Sequence, residues 1–192
     1  KFNKSCRTIL MLRIFLISYL FLLTPVFGGH KKGDPPPKVT TQQFKNWTYQ
    51  CVEDHGKKNC EVSQSLQIQN SNIRFSINYV RFKNKDKDVK EIISIIGPLG
   101  VNLNRKLAIK FDDQKQLNLS WTKCEVVGCM VILSNNTKDK TSLENYNLIK
   151  KNFSSKQKAA IGVAGFRPQP LAIEINLNGF LKASQKLNKD KL

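Results

Sequence analysis

The sequence predicts a mainly β fold: an antiparallel β-sandwich or barrel-like single domain with one or two short helices. Three observations predict it. Seven or more short segments alternate apolar and polar residues with period two. Gly, Pro, Asn and Asp punctuate them at close intervals. Helical patterning is confined to the last third of the chain, and no internal repeat is present.

Residues 1–28 have the make-up of a secretory leader. From Met11, a plausible start, "MLRIFLISYLFLLTPVFGG" places Arg13 before an apolar run at 14–23. Thr24-Pro25 ends the run, and Val26-Phe27-Gly28 has the spacing a signal peptidase reads. The run falls well short of the roughly 20 residues that cross a bilayer as a helix; an uncleaved anchor is the competing reading. Residues 29–43, with Pro35-Pro36-Pro37, carry no apolar periodicity and read as an extended spacer. The folded domain is expected over 44–192.

Within it, "WTYQCVEDHGKKNCEV" is a hairpin pattern. Trp47, Tyr49 and Cys51 share one face, and folding about His55-Gly56 sets Asp54 opposite Lys57, Val52 opposite Asn59 and Cys51 opposite Cys60. A two-residue turn needs positive φ, which Gly supplies and His tolerates. Ile73, Phe75, Ile77 and Tyr79 alternate with polar residues as a second strand. "EIISIIGPLGV" is an apolar run broken at Gly97-Pro98, as a buried strand and turn require. "LAIKFDDQKQLNLSW" reads as a hairpin bending at Asp112-Asp113, with Leu117, Leu119 and Trp121 on one face. "WTKCEVVGCM" brings Cys124 to Cys129 across a turn containing Gly128, and "AAIGVAGFRPQPLAIEINL" is a further hairpin turning at Arg167-Pro168. One helix is expected after Thr141-Ser142-Leu143-Glu144, a capping-box spacing, presenting Leu143, Tyr146 and Ile149. Another begins near Asn178 and carries Phe180 and Leu187.

The cysteines bear on compartment. Loss of the leader removes Cys6 and leaves Cys51, Cys60, Cys124 and Cys129, an even set of the kind exported chains oxidise. Three pairings exist; directly opposed strand positions favour the local one, because their Cα separation of about 4.5–5.5 Å suits a cystine. Zinc knuckles prefer closer cysteines. Redox pairs prefer C-x-x-C at a helix start, whereas the flanks here are strand-like. Structural staples are the expectation, with a thiol-active Cys124-Cys129 pair as the alternative.

The chain carries a net charge of +18; without residues 1–28, 28 basic and 14 acidic residues remain, or +14. Such an excess attracts anionic surfaces. Mild clusters at Lys83, Lys85, Lys87 and Lys90 and at Lys150 and Lys151 form a candidate patch for an anionic envelope or host-surface component. A soluble basic surface is the plainer reading of the same lysines. Peripheral membrane association fits the charge, while export sets the chain apart from most nucleic acid. Nothing assembles a catalytic, cofactor or metal site. His30 lies in the spacer and His55 at a hairpin tip, and Asp112-Asp113 is turn chemistry. Trp47, Phe75, Trp121 and Phe166 read as core rather than as a stacking platform. No phosphate-cradling glycine loop is present.

The order and spacing of these motifs resemble the invasion-associated locus B proteins of Gram-negative bacteria. "FKNWTYQCVEDHGKKNCEV" is similar to that family's opening Trp-x-x-x-Cys hairpin. "IIGPLGVNLNRKLAIKFDDQKQLNLSWTKCEVVGC" is similar to its "PLGV" segment, acidic-turn hairpin and paired Cys. "AIEINLNGFLKASQKL" is similar to its closing strand, Gly-Phe and helix. The resemblance implies export across the inner membrane to the periplasm, outer membrane or cell surface. It implies a role in host-cell entry beside a general envelope role, and no known reaction. It carries over Cys51, Cys60, Cys124 and Cys129 as staples, with Trp47, Pro98, Gly128, Gly179 and Phe180 as scaffold positions. This chain departs from the family pattern in its higher charge and its longer segment from Asn135 to Gln157.

Overall fold

Period-two patterning becomes strands wherever one face can be buried. The computed structural model of the 192-residue chain describes residues 36–83, 88–112, 114–165 and 170–190. The leader, residues 29–35, the bend residue Asp113, the Arg167-Pro168 turn, Phe166, Lys85 and Lys87 lie outside the described residues. The elements are β1 (Lys38–Phe44), β2 (Trp47–Asp54), β3 (Lys57–Gln67), β4 (Arg74–Lys83), β5 (Val89–Gly97), β6 (Leu107–Lys110), β7 (Leu117–Leu119), β8 (Lys123–Glu125), β9 (Gly128–Ser134), α1 (Lys140–Ser155), β10 (Lys158–Val163), β11 (Leu171–Asn176) and α2 (Phe180–Lys189).

Every strand pairing is antiparallel. A seven-stranded sheet has the order β1-β2-β3-β4-β5-β9-β8, and a four-stranded sheet the order β11-β10-β6-β7. The chain meanders through β1 to β5, leaves to form the β6–β7 hairpin of the small sheet, and returns for β8 and β9. It then crosses through α1 to add β10 and β11. Both sheets keep open edges among the described residues, so the architecture is two layers of sheet rather than a closed barrel.

The β2–β3 hairpin turns at His55 and Gly56, both with positive φ, and pairs Cys51 with Cys60, Val52 with Asn59 and Asp54 with Lys57. β1 begins at Lys38, inside the stretch read as a spacer, and pairs with β2 from Lys38↔Glu53 to Phe44↔Trp47. It is exposed along almost its whole length. An edge strand held mainly by backbone hydrogen bonds needs no apolar alternation, so it leaves none to read.

Inward-facing side chains of both sheets and one stripe from each helix form one core. Tyr146, Ile149 and Phe153 are buried on α1; Phe180, Ala183 and Leu187 on α2. Trp47 is the hub: its ring centroid lies 4.9 Å from that of Phe180 and 5.8 Å from that of Phe153. Phe153 in turn meets Phe111, which follows β6, at 5.9 Å. The indole N–H of Trp47 donates to the Asn176 carbonyl at 3.1 Å, and Gln64 Nε2 donates to the same oxygen at 2.8 Å. The end of β11 is thereby tied to the large sheet.

The N-cap of α1 is Asp139, not Thr141. Its carboxylate accepts from the backbone N–H groups of Thr141 and Ser142 and from the Ser142 hydroxyl. Those hydrogen bonds hold the Asp139 carboxyl below the usual range. A carboxylate reaches several donors where a threonine hydroxyl reaches one, so the helix starts earlier than the capping-box spacing predicts. α2 starts from Gly179 at φ +105°, where a Cβ would fall 1.9 Å from the Phe44 carbonyl oxygen. Only glycine fits there.

Candidate functional site

Three groups of chemically capable side chains lie on this frame. The first surrounds the cystines. Cys51 and Cys60 are bonded across β2 and β3 with Cα atoms 4.1 Å apart, and Cys124 and Cys129 across β8 and β9 at 3.9 Å. Cys51 and Cys129 are buried, whereas Cys124 is exposed. The Tyr49 hydroxyl lies 2.7 Å from Cys51 Sγ and donates to the carboxylate of Asp190, the C-cap of α2. Lys58 Nζ reaches the other Asp190 oxygen at 3.1 Å. Burial and the Asp190 charge push the Tyr49 hydroxyl pKa well up. Burial would also raise Asp190, but the Tyr49 and Lys58 hydrogen bonds outweigh it and hold the carboxyl below its usual range. One oxygen of Asp190 and both sulfurs lie within 4.8 Å of one another. Both sulfurs are committed to the cystine and the carboxylate to Tyr49 and Lys58, so the set offers a metal ion no thiolate.

The second group is an ionic knot between the large sheet and both helices. Arg81 and Glu91 are register partners on β4 and β5. Arg81 Nε sits 3.2 Å from Glu91 Oε1 as an ion pair without hydrogen-bond alignment. Lys150 of α1 and the Tyr146 hydroxyl both donate to Glu91 Oε2, and Arg81 donates to the Asn188 carbonyl of α2 at 3.2 Å. Burial pushes the Glu91 carboxyl up, yet the hydrogen bonds from Lys150 and Tyr146 prevail and keep it below the usual range. Burial first, and the Glu91 charge with it, raises both Tyr79 and Tyr146. An ionised carboxylate surrounded by donors locks elements together and is poorly placed to accept a proton. Its sequence signal was an acid opening the apolar run "EIISIIG", on the inward parity of β5.

The third group lines a groove of about 460 Å³ on the outer face of the large sheet, between Gln50, Val52, Asn59, Glu61, Val80 and Phe82. Among the described residues no helix covers this face. Half-burial raises the Glu61 carboxyl, but no nucleophile or second carboxylate in the groove stands beside it.

The candidate anionic-partner patch divides. Lys83 and Lys90 sit at the joined ends of β4 and β5, and Lys151 is exposed on α1. Lys150 departs from the surface reading: Glu91 neutralises its charge, and its ammonium lies over the rings of Tyr79 and Tyr146 at 5.6 and 5.8 Å. Among the described residues no helix is long and apolar enough to cross a membrane.

The profile of the family described as invasion associated locus B (IalB) protein matches residues 47–188. In three dimensions the chain is similar to the crystal structure of invasion associated protein B from Bartonella henselae. The sequence identity is 18% and the TM-score 0.57, over 78% of this chain and 96% of that one. At that identity the likeness is one of fold. No curated protein matches the sequence.

Proposed function

Because the chain belongs to the invasion associated locus B family, we propose that it is an exported interaction protein of the bacterial envelope. In this reading it works in the periplasm or at the outer membrane or cell surface. It contributes to host-cell entry by contacting an anionic partner rather than by catalysing a reaction. The observation that carries this reading is the pair of closed cystines on adjacent strands, which belong to an oxidising compartment. The charge of +14 that remains without residues 1–28 supplies the attraction to an anionic partner. The two carboxylates embedded in polar clusters, Glu91 and Asp190, are already ion-paired and serve the scaffold.

Binding to envelope preparations and to host-cell membranes at low and high ionic strength tests the proposal, together with internalisation counts for a deletion strain and its complemented parent. Association that weakens with salt and entry that falls on deletion support it. Salt-insensitive association and unchanged entry contradict it. One observation favours a thiol-active folding factor instead: the Cys124 side of its cystine is exposed. That cystine lies between strands, with no helix N-terminus beside it among the described residues to lower a thiol pKa.

A further inference from the structure

The four most exposed large apolar side chains among the described residues are Val126 at 95%, Val127 at 71%, Leu99 at 59% and Leu103 at 58%. They come from two loops, the turn between β8 and β9 and the segment between β5 and β6, and both loops leave the same end of the large sheet. β5 finishes and β9 begins at the pair Gly97↔Cys129. The two backbones touch there: a Cβ on Gly128 would lie 2.2 Å from the Gly97 carbonyl oxygen. Trp121, two residues before β8, braces the β5–β6 segment at both ends, with its ring against Gly97 and its indole N–H donating to the Arg105 carbonyl at 2.9 Å. The Cys124–Cys129 cystine closes the neck of the turn, so Val126 and Val127 are held out rather than folded back.

Arg105, Lys106 and Lys123 are exposed around these side chains. Glu125 is the one acid in residues 97–106 and 121–130, and it pairs with Lys123 at 2.6 Å. Arg105 and Lys106 have no carboxylate partner among the described residues. Aliphatic points beside two cations without a carboxylate partner, Arg105 and Lys106, match one surface above others, the interface of an anionic bilayer. There the apolar tips reach the acyl boundary and the cations meet phosphate. A protein partner asks for a broad plate of about 800 Å² a side with aromatic anchors; two turn tips carrying only Val and Leu supply neither.

We propose that this end of the molecule is a lipid-docking tip. Leu99, Leu103, Val126 and Val127 insert into the outer layer of a membrane rich in anionic glycerophospholipid, and Arg105, Lys106 and Lys123 bind its headgroups. The inference rests on the anionic-partner reading above and names the partner's class.

The test uses protein recovered from an exporting host in the form the cell leaves it. Its binding is measured on vesicles of phosphatidylethanolamine with phosphatidylglycerol and on pure phosphatidylcholine. Val126→Trp, read with brominated acyl chains, reports insertion of the tip itself. The expected results are quenching on the anionic vesicles alone and at least about tenfold weaker binding for Val126→Asp/Val127→Asp. Arg105→Glu/Lys106→Glu is expected to bind more weakly with a shallower salt dependence. These positions are exposed, and circular dichroism verifies that each variant keeps its fold. An unquenched Trp, or equal binding by the Asp variant, overturns the tip. Salt-sensitive binding to envelope preparations that protease treatment abolishes, with none to lipid vesicles, overturns the lipid assignment and leaves the anionic-partner reading standing. No binding to either overturns both.

Discussion

Glu91→Gln tests the ionic knot that joins the large sheet to both helices. The substitution keeps side-chain size and one acceptor while removing the charge that Arg81 and Lys150 share. Arg81 and Glu91 expose 15% and 12% of their side chains, Lys150 34%. Removing one partner from a buried pair costs about 3–5 kcal/mol, and the water that still reaches Lys150 reduces this. The expected loss is about 2–3 kcal/mol. Urea unfolding at neutral pH reads it as a midpoint lowered by roughly 1 M with an unchanged slope. The pH dependence has a definite sign. The folded Glu91 carboxyl is held below its ordinary range because hydrogen bonds from Lys150 and Tyr146 outweigh burial. Its contribution is therefore fully present above the unfolded pKa of about 4.3 and is lost as pH falls through the folded value. The gap between parent and variant is widest at neutral pH and closes in strong acid. A gap under about 0.5 kcal/mol at neutral pH, or one that persists unchanged into strong acid, refutes the reasoning.

Trp47→Ala empties the centre of the aromatic cluster and leaves the Asn176 carbonyl with one donor fewer; thermal unfolding should show a loss of about 3–5 kcal/mol, and Trp47→Phe a smaller one. Gly128→Ala drives a Cβ against the Gly97 carbonyl and should cost at least about 2 kcal/mol. Gly100→Ala, also at positive φ but with open space around it, should cost less by the same denaturation measurement. Replacing Cys124 and Cys129 by Ser should lower stability by about 2 kcal/mol, and Cys51 and Cys60 by about 3 kcal/mol, from loop closure alone. Alkylation of the native oxidised protein after mild reductant should label no sulfur; rapid labelling of Cys124 would favour the thiol-active reading.

Much of the fold was legible because its signals are local. The register of the β2–β3 hairpin follows from where His55-Gly56 permits positive φ. The inward faces of β2 and β4 follow from alternation at Trp47-Tyr49-Cys51 and Phe75-Ile77-Tyr79, and the burial of β5 from its continuous apolar run. Long-range choices leave no such trace. Nothing in "LAIKFDDQKQLNLSW" states that β6 and β7 join a different sheet from β5 and β9, because alternation reports burial of a face and not the partner across it. β1 is invisible for the opposite reason, being exposed on both faces. Lys150 looked like surface charge because its carboxylate partner, Glu91, lies 59 residues away. Val126 and Val127 lie unmarked within the Cys124–Cys129 turn; their exposure emerges only once that neck is closed and both loops stand at one end of the sheet.

The measurement that bears most directly on the central claim is subcellular fractionation of the cell that makes the protein, with the recovered chain digested and mass-mapped without reduction. The account predicts a leader-free chain in the envelope fraction, with Cys51 linked to Cys60 and Cys124 to Cys129. Cytosolic protein carrying residues 1–28, with Cys51, Cys60, Cys124 and Cys129 all alkylatable, would contradict it.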